Sequence, residues 1–349
     1  MKYLRIITIF LFSLGLMSCE NDLNVNDDWS DITVVYGILD RTQDTNWVRI
    51  HRAWLGQDKV SIGAQSSDSI YYAQTLLVQL EELNASGEIV HLIDLIFDNS
   101  SRDLEEGEFT TEEYRLYRTS ETLKAETEYR LRIQKNNGNP DITATTRVLE
   151  DDLRVVRPTP AQLIALEPLK DYTIQFDTQE GSKIFQTYVT LRYKEHPIGQ
   201  PGQLSYHEAV ARLPVTDVNN TDGDVRVIVG YNTESLLQSF RNEIPFDPGV
   251  WRYFQALDFT VLAGDEDLHT FINVNQPATG IVSERPDFSN IEGGYGLFAS
   301  RALNGRYNKS LNEAGLNNLI LSDLTCDLNF VKVTTTDTCW CDQGNLACQ

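Results

Sequence analysis

The chain has 349 residues and a formal net charge of −22 at neutral pH, with 51 acidic against 29 basic side chains. A surface this acidic repels phosphate backbones, which excludes nucleic acid as a partner, and it is repelled by an anionic bilayer surface as well. The length suits about two domains of roughly 150 residues each, and the 15 Tyr against only two Met favour β-rich extracytoplasmic domains over helical bundles.

Lys2 and Arg5 precede a largely apolar run, Ile6–Met17, and Leu16-Met17-Ser18-Cys19 closes it. That run is shorter than the about 20 residues a membrane-spanning helix needs. Residues 1–18 therefore read as a secretory signal peptide ending in a lipobox, with Cys19 as the lipidated first residue of the mature chain. A diacylglycerol thioether plus an amide-linked chain such as palmitate supplies two or three tails at about 0.8 kcal/mol per buried methylene, enough for lasting anchorage. Residues 19–30 are polar and acidic and read as a flexible tether. Acidic residues directly behind a lipidated cysteine resemble the surface-export signal of Bacteroidota lipoproteins, which implies an outer-membrane protein facing the cell exterior.

From Asp31 the pattern is one of short strands. Ile32–Leu39 and Trp47–Trp54 alternate faces around a turn-like Asp40–Asn46, which predicts an opening hairpin. Further strands are expected at Leu76–Leu80, Ile89–Ile93 and, most sharply, through Tyr129, Leu131 and Ile133, with Ile142–Val148 closing the first domain. A Tyr entering a late strand in this way serves immunoglobulin-like sandwiches as a corner. Pro158 and Pro160 disfavour helix and remove ladder donors, marking the boundary region. Beyond it, strands are expected at Tyr172–Phe176, Ile184–Tyr193, Trp251–Leu262 and Gly293–Ser300, whose glycines permit a bulge or close backbone approach. Short helices are expected at Glu234–Asn242 behind a Thr233 cap, after Asp265 to Phe271, and at Ser310–Leu321. The predicted architecture is mainly β, an N-terminal immunoglobulin-like β-sandwich (31–150) followed by a second β-rich domain with a few short helices (151–325) and a cysteine-containing tail (326–349).

Motifs that carry chemistry are sparse. Gly294–Ala299 matches the dinucleotide fingerprint in letters but lacks the strand before and the helix after. His207-Glu208-Ala209-Val210-Ala211 lacks the second His of a zinc-protease helix, His51, His91, His196 and His269 are scattered, and no Gly-x-Ser-x-Gly elbow occurs. Asp217, Asn219, Asp222 and Asp224 around Gly223 have the ligand chemistry for Ca²⁺, but the spacing departs from the calcium-loop pattern and reads as a turn. Trp54, Trp251 and Tyr295 read as packing residues before they read as a sugar-stacking platform. No catalytic set, metal site or cofactor is expected. With Cys19 lipidated, Cys326, Cys339, Cys341 and Cys348 remain, an even number in an oxidising compartment, and read as disulfides; Cys-x-Cys is poor zinc spacing, and three pairings are possible. Cys339 and Cys341 would close a strained small ring with each other, so each is expected to reach Cys326 or Cys348.

Val35-Tyr36-Gly37-Ile38-Leu39, Val48–Gly56 and Asn290–Ser300 resemble segments of an uncharacterised family of Bacteroidota outer-membrane lipoproteins, often encoded beside TonB-dependent receptors. The resemblance implies a β-rich extracellular lipoprotein and transfers no site; Cys339-Trp340-Cys341 differs from that family's paired-cysteine ending. The expected function is that of a non-catalytic accessory subunit of an outer-membrane β-barrel or TonB-dependent transporter complex, held to the membrane by its N-terminal lipid. The alternative is a binding lipoprotein that captures glycan or peptide and passes it to a transporter.

Overall fold

The computed structural model describes residues 32–53, 71–72, 76–99, 115–135, 140–200, 202–275 and 287–332. The signal peptide, Cys19, the tether, Trp54 and three of the four C-terminal cysteines lie outside these. The described chain is mainly β, with sixteen strands and three short helices.

Eight strands build a first lobe. β1 (Thr33–Leu39) and β2 (Asn46–Arg52) form the expected hairpin, because each alternates an inward set, Val35 and Leu39 facing Val48 and Ile50, with an outward one. β2 continues to β6 (Leu116–Thr119) and β5 (Ile96–Asp98). The facing sheet runs β4-β3-β7-β8, from β4 (Ile89–Asp94), β3 (Leu77–Leu83), β7 (Glu128–Gln134) and β8 (Ile142–Arg147). The two inner faces share one core, in which Tyr129, Leu131 and Ile133 meet Val35, Leu39 and Ile50. Burying such a side chain contributes about 1.5–3 kcal/mol. The Tyr129 hydroxyl turns back to accept the Lys124 N–H at 3.1 Å, so its polar end is satisfied inside an apolar layer.

The second lobe has β9 (Arg154–Arg157), β10 (Asp171–Asp177) and β14 (Arg226–Asn232) in one sheet, ordered β14-β10-β9. β11 (Ile184–Pro197), β12 (Ser205–Arg212), β15 (Val250–Gly264) and β16 (Tyr295–Lys309) form the other, ordered β12-β11-β15-β16, and the two-residue β13 (Thr216–Asp217) pairs with β11. A second core lies between them, built from Phe176, Phe185 and Phe259 with Leu237 and Phe240 of α1 (Thr233–Glu243). α1 starts one residue earlier than its sequence suggests: Asn232, in extended backbone, caps it by accepting the Glu234 N–H at 3.0 Å, and Thr233 is the first helical residue. α3 (Glu313–Leu321) is shorter than expected, because Asn312 caps it by accepting the Gly315 N–H at 2.8 Å.

β16 belongs to both lobes. Residues 295–300 run parallel to β1, and residues 301–309 run antiparallel to β15. The expected late strand therefore extends well past Ser300. Gly296 makes the first pairing possible: its φ of +119° is a glycine conformation, and a Cβ there would overlap the Val35 carbonyl. Further along, Arg306 donates to the Val155 carbonyl (2.6 Å), and Lys309 donates to those of Thr159 (3.1 Å) and Pro160 (2.7 Å), so β16 also grips the proline segment between the lobes. α2 (Glu266–Asn275) lies over the β1–β16 junction, with Leu268 and Phe271 on Leu297, Ala299 and Ile38.

Candidate functional site

Where the lobes meet, a cleft of ≈350 Å³ opens between β8, the β10–β11 turn and the start of α2. The first lobe lines it with Glu126, Glu128 and Glu150, and the second with Glu180, Asp265, Glu266 and Asp267. Among the described residues Arg147 is the one basic residue in the lining; its guanidinium lies 4.0 Å from Glu126 and 3.7 Å from Glu180, bridging the lobes. Exposed pairs of this kind contribute little stability, but one cation among seven carboxylates leaves a strongly negative cavity. Burial, followed by the charges of Asp152 and Glu126, raises the Glu150 pKa above the ordinary carboxylate range.

Asp265 is the hub of the cleft floor. Its Oδ1 accepts the Leu268 N–H (2.9 Å), capping α2, and its Oδ2 accepts the Ser300 N–H (2.6 Å) and the Thr146 hydroxyl (3.0 Å). Ser300 in turn donates through Oγ to the Leu39 carbonyl (3.3 Å) and accepts the Leu149 N–H (2.9 Å). One carboxylate thus ties β8 of the first lobe to β16 and α2. Burial pushes its pKa up to about 6, against the three donors that favour the charged form.

From Glu126, Glu128 and Arg147 the cleft continues into an open groove of ≈700 Å³ along the β3–β4 hairpin, past Glu82, Leu83, Gly87 and Val90. Its carboxylates are chemically suited to a cationic ligand. Yet among the described residues no three His, Cys, Asp or Glu side chains are positioned to hold a metal ion, so the fit is to extended cations, such as lysine or arginine side chains, rather than to a bare ion. Compared with known proteins, the chain matches no family model and no curated sequence. The reading of the site therefore rests on its own geometry.

The residues weighed from sequence do not converge on this cleft. Cys326 is buried in a short 3-10 turn and is disulfide-bonded; Cys339, Cys341 and Cys348 lie outside the described residues. Asp217 faces His269 (3.3 Å), while Asn220 accepts the Asp222 N–H (2.8 Å) in a turn. Trp251 is the second residue of β15 and Tyr295 the first of β16, lying beyond opposite ends of the ladder the two strands share. His51 stacks on Tyr36 and His196 on Tyr253, each a packing contact, and burial with the Arg49 charge lowers the His51 pKa to about 4. Ser205, His207 and Glu195 do meet, but Ser205 Oγ (2.8 Å) and Glu195 Oε1 (3.9 Å) both face His207 Nε2. A nucleophile relay needs the acid on the other ring nitrogen. The cleft itself escaped sequence reading because its carboxylates come from four separate segments, around residues 126–128, 150, 180 and 265–267, that only the fold brings together.

Proposed function

We propose that the protein is a cell-surface outer-membrane lipoprotein acting as a non-catalytic accessory subunit of an outer-membrane β-barrel or TonB-dependent transporter complex. The lipobox Leu16–Cys19 supports the location. The observation that carries the subunit reading is an apolar strand edge, Ile89–Asp98, exposed on the first lobe; a lipid on Cys19 would keep that lobe, which follows the tether in sequence, near the membrane. A ligand-capturing role is the second reading, and the acidic cleft favours it. Seven carboxylates around one arginine select a basic peptide over a neutral glycan.

The first lobe we take as an immunoglobulin-like sandwich. Its strand orders, β1-β2-β6-β5 against β4-β3-β7-β8, follow the A-B-E-D and C′-C-F-G arrangement of that fold, and the Tyr129 corner supports it. The second lobe repeats the order, β9-β10-β14 against β12-β11-β15-β16, with α1 inserted before β15. A division near residue 150 is supported by the two cores, one drawn mostly from residues up to Val148 and the other from Leu153 onward.

Purification of the lipidated protein from membranes in mild detergent tests the function. A stoichiometric barrel partner is the expected result. Its absence, with saturable binding of a lysine-rich peptide to the soluble chain, would replace the subunit reading with the capture reading.

A further inference from the structure

We propose that the flank formed by β4 and β5 receives an added β-strand from a protein partner, an extended segment that alternates apolar side chains with lysine or arginine. The proposal deepens the accessory-subunit reading and rests on it for the partner's source, but not for the surface.

The chain from Ile89 to Asp98 passes from the edge of one sheet to the edge of the other, crossing at Leu95, whose N–H is held by the Val78 carbonyl at 2.9 Å. Neither β4 nor β5 has an outer strand neighbour among the described residues. Edge strands in soluble proteins are usually short, charged or covered, because unpaired backbone groups recruit other strands. Here β4 offers six residues, roughly 20 Å at strand rise, and β5 three more at the edge of the neighbouring sheet. They expose Ile89 (49 %), Val90 (55 %), Leu92 (46 %) and Ile96 (60 %). The opposite edge of the same sheet is treated differently: Thr143 on β8 exchanges backbone bonds with Glu292 at 3.2 and 2.8 Å, closing that side. A register shift at Glu82–Leu83 distorts only the hairpin end of β4.

Charge complementarity chooses the occupant. Glu88 and Asp94 flank the apolar residues of β4 and accept from the side-chain amides of Asn84 and Gln79, which are neutral donors. The groove beside Val90 adds Glu126 and Glu128. An added strand therefore gains main-chain bonds along the edge, apolar contacts at alternate positions, and carboxylates for its basic residues. A second copy of this chain would bring the same acidic edge against itself, which disfavours self-pairing.

The test uses the full lipidated chain in detergent-extracted outer membranes. A photo-crosslinking residue at Leu92 is compared with one at Ile228, exposed on the second lobe, and Val90→Lys with Leu92→Lys is compared with the parent. Crosslinking into the barrel polypeptide from position 92 and not from 228 is expected, with about a tenfold loss of co-purified barrel from the double variant. Because that variant could misfold, hydrogen exchange on the unmodified protein is the second measurement: amides of 89–98 should exchange at least about tenfold more slowly in the complex than in the isolated chain. A barrel retained by a folded double variant, with those amides exchanging alike, overturns the edge and leaves the subunit reading standing. No barrel with the parent chain sinks the subunit reading itself, and a crosslink from 92 to a second copy overturns the choice of partner.

Discussion

Replacing Asp265 by Asn separates two opposed effects at the cleft floor. The amide can present its oxygen to the Leu268 N–H or to the Ser300 N–H, but not to both, since these donors face different carboxylate oxygens. One buried backbone donor is then orphaned at a cost of about 1–3 kcal/mol. Against this, the wild-type carboxylate carries a folded pKa of about 6 where the ordinary value is 3.8. A raised folded pKa means that the proton stabilises the fold: the contribution is fully present below the unfolded value and is lost as pH rises through the folded one. The difference, about two pKa units, amounts to about 3 kcal/mol. Asp265→Asn removes this dependence, so its deficit should be largest below about pH 3.8 and should shrink by up to about 3 kcal/mol, reaching zero or reversing, by about pH 8, with about 2 kcal/mol of that change falling above about pH 4.5. Urea unfolding of both proteins across that range, extrapolated linearly, reads the difference directly, because the other titrating groups are common to both. A gap that stays constant with pH, or widens as pH rises, would refute the account of Asp265 as a carboxylate kept partly protonated by burial.

Arg252 is fully buried and donates to Glu195 (3.0 Å) and to the carbonyls of Leu328 (2.8 Å) and Pro245 (2.9 Å); Arg252→Met should cost about 3–5 kcal/mol by taking the guanidinium from Glu195 Oε2 and from both carbonyls, and a Glu195→Gln/Arg252→Met double variant should lose less than the sum, as thermal unfolding will show. Gly296→Ala should break the β1–β16 pairing, seen as new protease cleavage near residues 32–40. Tyr129→Phe should cost about 1 kcal/mol in denaturant unfolding, the net worth of its bond to Lys124. Cys19→Ala should move the protein from the membrane to the soluble fraction; radiolabelled palmitate still entering the variant would sink the lipobox reading.

What could be read from sequence follows a physical division. The β1–β2 hairpin and the inward triplet Tyr129, Leu131 and Ile133 were legible because period-2 alternation and turn residues are local signals. β12 was not, since its inward residues Ala209 and Ala211 are small and carry little β preference. Four-residue β6 and β9 are too short for periodicity, one beside an acidic stretch and the other beside two prolines. The far half of β16 was hidden for another reason: Arg306 and Lys309 sit where a strand reader expects apolar residues, and they are explained only by carbonyls about 150 residues away. At α1, Asn232 and Thr233 are both competent caps, and only the extended backbone of Asn232 decides between them.

The same strand explains why the cleft has a shape at all. Two sandwiches joined by a flexible linker would open and close, and a row of carboxylates between them would push them apart. Here β16 is hydrogen-bonded into a sheet of each lobe, with six residues paired to β1 before the chain passes directly to its pairing with β15. Rotating one lobe against the other would require breaking a ladder within a continuous strand, and the Asp265–Ser300 cluster sits at the point where β16 changes partners. The electrostatic repulsion is thus borne by backbone pairing, and the cavity keeps its shape without a ligand, which is what the capture reading would need of a site for a cation. Its arrival would relieve the repulsion without a closing motion, so binding at this site should raise the unfolding temperature while leaving protease accessibility between the lobes unchanged.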